Sequence, residues 1–441
     1  MGRRFAIIAP PLAGHYDPLR VLARELVARG HLPVFFHLAD AAPMVDDDGV
    51  GFRAVSHPRA RAYDLARYRR RLAQADRPAG LLAMIEATAA ITALLLDTLP
   101  AALTAASIDA VIADATEPAG GLVARHLGLP LIVSVTGLPL LREAGVPPPF
   151  IGWRYRPDRL GRARNAVGYA IVDRLMRPVS RVIGQRARAW GLTPSMGEDA
   201  WLQVAQCPAA FDFPRRALPA GFHYGSPFRA GTAAPLDLPD DGRPLVYCSL
   251  GSLQGARPAM FAAMTRACAA LGARAVVAHG GGLTELEARS LPGEPLVRAF
   301  WPQPAVLARC AAAAVHGGFN TVLDALAAGV PMVAVPIAFE QPGTAARLAY
   351  HGAGVVLSRR ALVAGRLEGS LATVLADGPH RAAAARISRA IATSGGAAHA
   401  AALIEAAIAS GGRPGAPPAA ATTAPPASDG ARDDSRRSGS R

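Results

Sequence analysis

The chain has 441 residues, too many for one ordinary hydrophobic core, so its length predicts two domains of about 200 residues each. Its composition, 51% hydrophobic with a formal net charge of +14, fits a soluble α/β protein with an excess of basic residues. All of those basic residues are Arg, and the absence of Lys from the sequence excludes Walker-type phosphate loops, protein-kinase sites and Schiff-base enzymes.

The first half of the chain predicts alternating strands and helices. Apolar residues at about 4–9 predict a strand, followed by a glycine-containing loop, a helix at about 18–29 and a strand at about 32–37. Later short apolar runs, at 111–113 and 131–133, are separated by a helix-like segment. This alternation predicts a parallel sheet with helices on both faces.

The second half repeats this pattern after a change in composition. Residues 218–243 are rich in Pro, Gly and Asp and predict an interdomain linker. A strand at 245–248, a helix at 258–271 and a strand at 273–278 follow. We therefore predict domains at 1–217 and 244–395 and a closing helix at 396–410. From 411 to 441 the composition predicts a disordered tail.

Cysteine usage and hydropathy bear on the cellular compartment. The four cysteines are widely spaced and include no CxxC pair, so we expect neither disulfides nor zinc and a reducing, cytoplasmic location. The best candidate for a membrane span, residues 81–99, carries Glu86 and Asp97 and falls short of a continuous apolar run.

The most informative stretch begins at His316, where an apolar run ends in a His and two glycines and a helical pattern follows. Gly317 and Gly318 have no Cβ, so the backbone can approach a ligand closely. The unpaired N–H groups and the positive end of the helix then face an anion. The stretch therefore predicts a diphosphate site, and five polar residues follow within reach of such a ligand: Asn320, Thr321, Asp324, Glu340 and Gln341.

This pattern resembles the donor signature of the UDP-dependent, inverting glycosyltransferases of the GT-B fold. The resemblance implies an α/β protein in which two Rossmann-like, doubly wound parallel-sheet domains face each other across a cleft. It implies that His316 donates a ring N–H to a phosphate oxygen, that Asn320 and Thr321 add donors at the first helical turn, and that Asp324 accepts ribose hydroxyls. Glu340 and Gln341 are then expected to bind the hydroxyls of the sugar.

Two upstream segments complete the donor site that the resemblance implies. Residues 249–252 resemble the loop after the first strand of the domain, in which Gly251 and Ser252 approach the diphosphate and nucleoside. Phe300-Trp301-Pro302-Gln303 resembles the Trp-x-Pro-Gln of the family, whose aromatic ring stacks on uracil. Phe300 has the matching offset from Gln303 and Trp301 lies beside it, so the sequence leaves open which ring stacks.

The first half contains the candidate for the catalytic base. Gly14-His15-Tyr16-Asp17-Pro18 resembles the Gly-His-x-x-Pro of the family, whose His is the general base. A His at a helix N-terminus is disfavoured as the cation, which keeps it neutral near pH 7. A carboxylate on the other ring nitrogen restores basicity and fixes the tautomer. Asp114, directly after a predicted strand, matches the aspartate of that dyad.

The implied reaction is a single in-line displacement that inverts the anomeric carbon from α to β. His15 takes the proton of the acceptor hydroxyl, and the start of the donor helix stabilises the departing UDP electrostatically. We therefore expect no metal and no cofactor. The acidic run 46–48 is predicted to be solvated surface in a turn and not a metal site.

The acceptor is implied by a narrower resemblance. Residues 117–124, 211–224, 249–255 and 321–328 resemble the bacterial members of this family that glucosylate carotenoids, and the likeness covers roughly residues 4–408. It implies that glucose passes from UDP-glucose to the two ring hydroxyls of zeaxanthin in turn, giving the mono- and di-β-glucoside. Another lipophilic acceptor, such as a macrolide, flavonoid or sterol, is the alternative. A catalytically dead carotenoid-binding relative is a third reading, against which the intact His15, Asp114 and His316 argue.

Two Arg-rich segments in the predicted acceptor domain account for the excess charge. Residues 53–77 contain eight Arg and two Asp, and residues 154–188 contain ten Arg and two Asp. Apolar residues at near-helical spacing within 167–183 favour a peripheral contact with the inner face of the cytoplasmic membrane. The alternative is a solvated face decorated by an Arg-biased composition. No groove-reading motif supports nucleic-acid binding, so we predict no nucleic-acid partner.

Overall fold

The computed structural model describes residues 2–45, 49–56, 64–193, 199–230, 236 and 238–412. Four sequence predictions therefore lie wholly or partly outside the described residues: the acidic run 46–48, part of the Arg-rich segment 53–77, part of the linker 218–243, and the tail from 413 onward.

The first sheet has seven parallel strands in the order β3-β2-β1-β4-β5-β6-β7. Its strands are β1 (Arg4–Ile8), β2 (Leu32–His37), β3 (Gly51–Ala54), β4 (Ala110–Asp114), β5 (Leu131–Val135), β6 (Leu202–Ala205) and β7 (Phe222–Tyr224). β1, β4 and β5 are buried almost completely. Strands of a parallel sheet that is covered on both faces must be apolar on both sides, which is why continuous apolar runs form them.

Among the residues that the structure describes, six α-helices and one short 3₁₀ helix, at Ala39–Met44, accompany this sheet. The helices are α1 (Ala13–Ala28), α2 (Leu65–Ala73), α3 (Pro78–Ala105), α4 (Pro118–His126), α5 (Arg159–Leu175) and α6 (Arg177–Ala189). The strand order of the sheet reverses between β1 and β4: β2 and β3 lie on one side of β1, and β4 to β7 lie on the other. Doubly wound sheets bind ligands at such a switch point.

The second sheet has six parallel strands in the order β10-β9-β8-β11-β12-β13. They are β8 (Leu245–Ser249), β9 (Arg274–Ala278), β10 (Leu296–Arg298), β11 (Ala312–Val315), β12 (Met332–Ala334) and β13 (Gly354–Val356). Its switch point lies between β8 and β11. The two doubly wound α/β domains confirm the predicted fold class.

Within the described part of the chain, ten helices accompany the second sheet or follow it. They are α7 (Gly251–Gln254), α8 (Pro258–Ala270), α9 (Glu285–Arg289), α10 (Gln303–Leu307), α11 (Phe319–Ala327), α12 (Gln341–Tyr350), α13 (Arg359–Val363), α14 (Leu367–Leu375), α15 (Pro379–Thr393) and α16 (Ala397–Ala409). The last of these, α16, packs against α1, so the chain returns to the first domain after the second domain is complete.

The structure differs from the sequence prediction at the start of α1. The predicted helix begins near residue 18, whereas α1 begins at Ala13 and contains Pro18. A proline usually marks the first turn of a helix, which is why the pattern favoured the later start. His15 therefore lies in the first turn of α1 and not in a preceding loop. The structure also contains a strand, β7, within the predicted linker 218–243. The sequence does not predict this strand because three residues flanked by Pro and Gly give too short a pattern.

Buried charges join the two domains. Asp212 accepts from Arg347 of α12 at 2.8 Å and from Arg215 at 2.6 Å, and none of these three side chains is more than 2% exposed. On another part of the interface, Asp76 pairs with Arg359 at 2.6 Å and with Arg257 at 3.2 Å. Separating Asp212 from Arg347 would leave buried charges uncompensated, so this pair favours the closed arrangement of the domains. The Asp76 pairs contribute less, because Arg359 and Arg257 are 39% and 24% exposed.

Helix α3 is the segment that approaches the composition of a membrane span. By length and hydropathy it is apolar enough to cross a bilayer, with a mean hydropathy of 2.0 over its best 18 residues. In the structure it packs against α2, α4 and α6, and its Asp97 is paired with Arg186 of α6. Its apolar residues belong to the largest hydrophobic core.

Candidate active site

His15 and Asp114 meet at the switch point of the first sheet. His15 lies in the first turn of α1, just after β1, and Asp114 is the last residue of the neighbouring strand β4. Nδ1 of His15 lies 2.9 Å from Oδ2 of Asp114 and 2.8 Å from the Thr136 hydroxyl. The Asp114 side chain is fully buried, whereas that of His15 is 22% exposed. The ring is therefore fixed through Nδ1, and Nε2 is the nitrogen left for a reactant.

Three further hydrogen bonds hold the Asp114 carboxylate. Thr136 donates its hydroxyl to Oδ2 at 2.5 Å, and Thr116 donates its N–H and its hydroxyl to Oδ1 at 2.8 and 2.6 Å. Burial raises the pKa of Asp114, but the charge of His15 and these hydrogen bonds outweigh it, so the pKa is lowered. The carboxylate therefore stays ionised beside the imidazole.

The pKa of His15 is raised above its ordinary value of 6.5. Burial of the ring lowers it, but the charge and hydrogen bond of Asp114 outweigh burial, and the charges of Glu340 and Glu117 add to the same effect. From the sequence, the helix N-terminus is expected to disfavour the cation. In the structure the neighbouring carboxylates dominate, so His15 is a stronger base than an isolated imidazole.

Glu117 is a neighbour of this pair that the sequence analysis did not select. It precedes α4 and caps it, accepting the Ala119 N–H at 3.3 Å, and it is only 4% exposed. Burial raises its pKa to about 7, and the charge of Asp114 adds to this. A Glu-Pro pair at the start of a helix is a visible capping pattern, but nothing local indicates that it lies beside His15.

His316 lies at the corresponding switch point of the second sheet. It follows β11, beside the loop that follows β8, and its side chain packs against two glycines. A Cβ on Gly251 would lie 2.7 Å from Nε2 of His316, and a Cβ on Gly318 would lie 2.3 Å from it. Gly251 also has a φ of +72°, which other residues rarely adopt. Both positions therefore require glycine, for space and, at Gly251, for backbone conformation.

The environment keeps His316 neutral. Burial lowers its pKa to about 4, and the neutral ring retains one N–H that it can donate. Among the described residues, Nδ1 of His316 is buried without a hydrogen-bond partner. Since buried polar atoms are normally satisfied, this orphaned atom indicates a site that a ligand or water completes.

A cavity of about 450 Å³ lies between the domains. Helix α1 lines one side of it with Gly14, Pro18 and neighbouring residues. The other side contains eight of the predicted donor-site residues: Gly251, Ser252, Phe300, Trp301, Gln303, Asn320, Thr321 and Asp324. The structure thus brings these residues to one cleft that the turn containing His15 also borders.

The two adjacent aromatic residues differ in what surrounds them. The Trp301 indole donates its N–H to the Val277 carbonyl at 2.9 Å, and the Arg298 guanidinium lies 4.1 Å from its ring centroid. Phe300 is 69% exposed and lines the cavity. Trp301 is therefore already engaged by β9 and Arg298, whereas most of the Phe300 side chain is open to a ligand.

Gln303, Asp324 and Arg229 form a network on the cavity wall. Gln303 donates its amide to Asp324 at 2.6 Å and accepts the Tyr247 hydroxyl at 3.0 Å. The Thr321 hydroxyl, predicted to face the diphosphate, lies 3.4 Å from the same Gln303 oxygen. Arg229 donates Nε to Asp324 at 2.6 Å. Sequence reasoning missed Arg229, which stands in the Pro- and Gly-rich segment where no local pattern singles it out.

Asn320 connects this network to the first domain. Its side-chain nitrogen donates to the Gly14 carbonyl at 2.7 Å, and its side-chain oxygen accepts from Arg229 at 3.2 Å. An amide nitrogen carries two N–H groups, so one remains for a ligand. The bond places the first turn of α11 directly against the first turn of α1.

Glu340 and Gln341, both predicted to bind sugar hydroxyls, have different surroundings in the structure. Glu340 directly precedes α12, and burial raises its pKa, while its own backbone N–H, the His15 charge and the Phe319 N–H act in the opposite direction. The Gln341 oxygen accepts the N–H groups of Ile337 and Ala338 at 2.8 and 3.0 Å. Gln341 therefore braces its own loop, and its backbone carbonyl lies against Gly317.

Groups of three or more His, Cys, Asp or Glu side chains that could hold a metal ion are not found among the residues that the structure describes. The arrangement instead offers a buried His–Asp pair on one side of a cleft. On the other side it offers a helix N-terminus with a neutral histidine. Such a site can remove a proton from a neutral nucleophile while it stabilises an anionic leaving group.

Comparisons with known proteins identify relatives of this chain. A sequence model of the family described as "Erythromycin biosynthesis protein CIII-like, C-terminal domain" matches residues 265–405. The zeaxanthin glucosyltransferase of Pseudescherichia vulneris is 40% identical over 361 residues, which cover 80% of this chain and 86% of that protein. The zeaxanthin glucosyltransferase of Pantoea ananas is 37% identical, with coverage of 80% and 84%.

The fold is similar to that of solved glycosyltransferases. The calicheamicin glycosyltransferase CalG4 superposes with a TM-score of 0.71 at 23% identity, covering 92% of this chain and 98% of CalG4. At that identity the likeness establishes the fold alone. Together, the GT-B architecture and the 40% identity show that this chain belongs to the glycosyltransferase family that includes the zeaxanthin glucosyltransferases.

Proposed function

We propose that this protein is an inverting glycosyltransferase that moves glucose from UDP-glucose to the hydroxyl groups of a carotenoid, with His15 as the general base. The observation that carries the chemistry is the His15–Asp114 pair, whose hydrogen bond at Nδ1 leaves Nε2 for a reactant. The neighbours of His15 in the first turn of α1, Gly14 and Asp17, line the cavity that the start of the donor helix also lines. The names of the two relatives above favour zeaxanthin as the acceptor.

The reaction proceeds in one step in this proposal. Nε2 of His15 takes the proton of the acceptor hydroxyl while that oxygen attacks the anomeric carbon of glucose. The bond from that carbon to the β-phosphate oxygen breaks, and its electron pair leaves with UDP. Attack opposite the leaving group inverts the α-linked donor to a β-glucoside. Asp114 stabilises the imidazolium that forms and keeps Nδ1 protonated.

The donor half is proposed to hold UDP by hydrogen bonds and stacking, without a cofactor or metal. The free N–H groups at the start of α11 and the His316 ring face the diphosphate. Ser252 and the backbone at Gly251 are positioned to contact the diphosphate and nucleoside. Phe300 stacks on uracil, since Trp301 is held by Val277 and Arg298. The carboxylate of Asp324 accepts ribose hydroxyls.

Product analysis tests this function directly. We expect the purified protein, incubated with UDP-glucose and zeaxanthin, to yield masses of the mono- and diglucoside, and the His15→Ala variant to be slower by about 10²–10⁴. Parallel incubations with a macrolide, a flavonoid and a sterol serve as alternatives. Transfer only to one of those acceptors would replace the carotenoid, and near-normal turnover by His15→Ala would remove the base from its role.

We also propose that α5 contacts an anionic membrane surface, which places the protein at the inner face of the cytoplasmic membrane. The helix buries small or polar residues, Gly161, Asn165 and Gly168, against the protein. It exposes larger apolar ones, with Leu160 at 69%, Val167 at 59% and Ile171 at 50% exposure. The predicted stretch 167–183 does not extend this exposed face into α6, because Val179 is buried there at 3% exposure. Exposed apolar side chains on an Arg-rich helix are typical of interfacial helices. Such a position favours access to a lipid-soluble acceptor.

A further inference from the structure

The hydrogen bond between Asn320 and Gly14 crosses the domain interface beside the proposed base. The Asn320 side-chain nitrogen donates to the Gly14 carbonyl oxygen at 2.7 Å, and His15 is the next residue. Asn320 is in the first turn of α11, the helix proposed to face the diphosphate. The bond therefore connects the helix that carries the proposed base to the helix proposed to hold the donor. The transfer chemistry by itself does not require such a bond.

Pro18 explains why this carbonyl is available. In an α-helix the carbonyl of residue 14 normally accepts the N–H of residue 18. Residue 18 is a proline inside α1 and has no N–H to donate. The acceptor that the helix would otherwise use is thus left for Asn320.

Arg229 fixes the orientation of the Asn320 amide. Its Nη2 donates to the Asn320 side-chain oxygen at 3.2 Å and to the Asn320 backbone carbonyl at 3.4 Å, while its Nε donates to Asp324. A guanidinium can only donate, so the amide oxygen must face Arg229. The amide nitrogen then faces Gly14, the orientation in which both ends of the side chain are satisfied.

We propose that Asn320 is a positioning residue that ties the donor helix to the catalytic base through the carbonyl that Pro18 leaves free. This inference rests on the proposed function, in which His15 is the base and α11 holds the donor. Because Gly14 precedes His15, the bond sets where the imidazole stands relative to the anomeric carbon. Misalignment of reacting groups lowers kcat without a matching loss of donor affinity.

Pro18→Ala is the sharpest variant because the proposal gives it two effects of opposite sign. The new N–H at residue 18 competes with Asn320 for the Gly14 carbonyl, so we expect kcat to fall about tenfold or more. Removing a proline from a helix interior should at the same time raise Tm by about 2–4 °C. The dissociation constant of UDP, measured by calorimetry, should change by less than about twofold.

Pro100→Ala is the matched control. Pro100 also lies inside a helix, near the C-terminal end of α3. The Ala106 carbonyl, just after that end, accepts a hydrogen bond from Arg4 at the start of β1. Pro100 is therefore near the edge of the sheet that is opposite to the site. We expect this variant to raise Tm by a similar amount and to leave kcat unchanged. A fall in kcat equal to that of Pro18→Ala would overturn the proposal.

A double-mutant cycle with Asn320→Ala isolates the bond itself. If Pro18 acts through Asn320, Pro18→Ala lowers kcat in the wild-type background and has no effect in the Asn320→Ala background. Additive losses, or an unchanged kcat in Pro18→Ala, would each contradict the inference. A wild-type protein that does not glucosylate zeaxanthin would contradict the proposed function instead, and the cycle is then measured on UDP-glucose hydrolysis, in which water replaces the acceptor.

Discussion

At the scale of single residues, the base is set by its contacts with carboxylates. Burial alone lowers the pKa of His15, yet the pKa is raised because Asp114 is ionised, fully buried and bonded to Nδ1. His316, buried without a carboxylate, goes the other way, to about 4. Two histidines at the switch points of the two sheets thus acquire opposite properties, one suited to accept a proton and the other to donate a neutral hydrogen bond.

These shifts predict the pH dependence of transfer. Only neutral His15 can act as base, so kcat/KM should rise with pH and level off above a pKa that lies above 6.5. In Asp114→Asn the ion pair is gone, so that acidic limb should move to lower pH while the plateau falls by about 10² or more. Rate measurements from pH 5 to 9 test this, and a limb that stays in place in Asp114→Asn would contradict the assignment.

Phe300 and Trp301 provide a second prediction at this scale. Stacking of a base on an aromatic ring contributes about 1–3 kcal/mol, so Phe300→Ala should weaken UDP binding by roughly 5- to 150-fold. Phe300→Tyr, which keeps the ring, should bind UDP nearly as well as the wild type. Trp301→Ala should mainly lower Tm, because it removes the contacts with Val277 and Arg298. Calorimetry and thermal melts distinguish these outcomes, and equal UDP affinity in Phe300→Ala would assign stacking elsewhere.

At the scale of elements, the site consists of strand ends and helix starts. β1 and β4 deliver His15 and Asp114, while β8 and β11 deliver Gly251 and His316. The carboxyl ends of adjacent parallel strands lie at the same sheet edge, so residues far apart in sequence become neighbours. The loops that follow must then fit around the His316 ring, which is why glycines stand at 251 and 318.

Gly251→Ala tests this fit against a matched control. Gly251 and Gly242 both have left-handed φ values, +72° and +78°, so alanine at either should cost about 1 kcal/mol of stability. A Cβ at Gly251 would collide with His316, whereas a Cβ at Gly242 meets nothing within 4 Å. We therefore expect the larger loss of Tm in Gly251→Ala, and a fall in kcat of about 10² in that variant alone. Equal activity in the two variants would contradict this account of the loop.

At the scale of the whole molecule, contacts between domains hold the cleft closed. Asp212 with Arg347, and Asp76 with Arg257 and Arg359, link the domains away from the cavity. The Asn320–Gly14 bond links them at the cavity itself. α5 stands outside these contacts and exposes its apolar residues.

Flotation with lipid vesicles tests the role of α5. The protein should float with anionic vesicles at low salt and less at high salt, because surface charges are then screened. The double variant Val167→Glu and Ile171→Glu should lose about half or more of the bound fraction through lost apolar burial and lost charge attraction. Leu286→Glu, at a residue 79% exposed in the second domain, is the control that should float normally. Absence of wild-type flotation on anionic vesicles would refute the membrane contact.

The amino-acid sequence by itself determined the features that repeat over short distances. Alternating apolar runs and helical periods predicted β1, β2, β8, β9 and α8 to within a residue or two, because burial of a strand or helix face leaves a local pattern. The glycines after β11 predict a diphosphate site because backbone without a Cβ can approach a ligand closely, and this stays a prediction. The start of α1 was predicted wrongly because Pro18 imitates a helix start.

Only the tertiary structure decided which groups meet. The contact of His15 with Asp114 spans 99 residues, that of Arg229 with Asp324 spans 95, and that of Asn320 with Gly14 spans 306. Whether His15 is a strong base, whether Trp301 is already engaged, and whether Arg229 belongs to the site all depend on such contacts. A pKa or a hydrogen bond depends on the groups that are close in space. Most of those groups are distant in the sequence, so a local sequence pattern does not contain them.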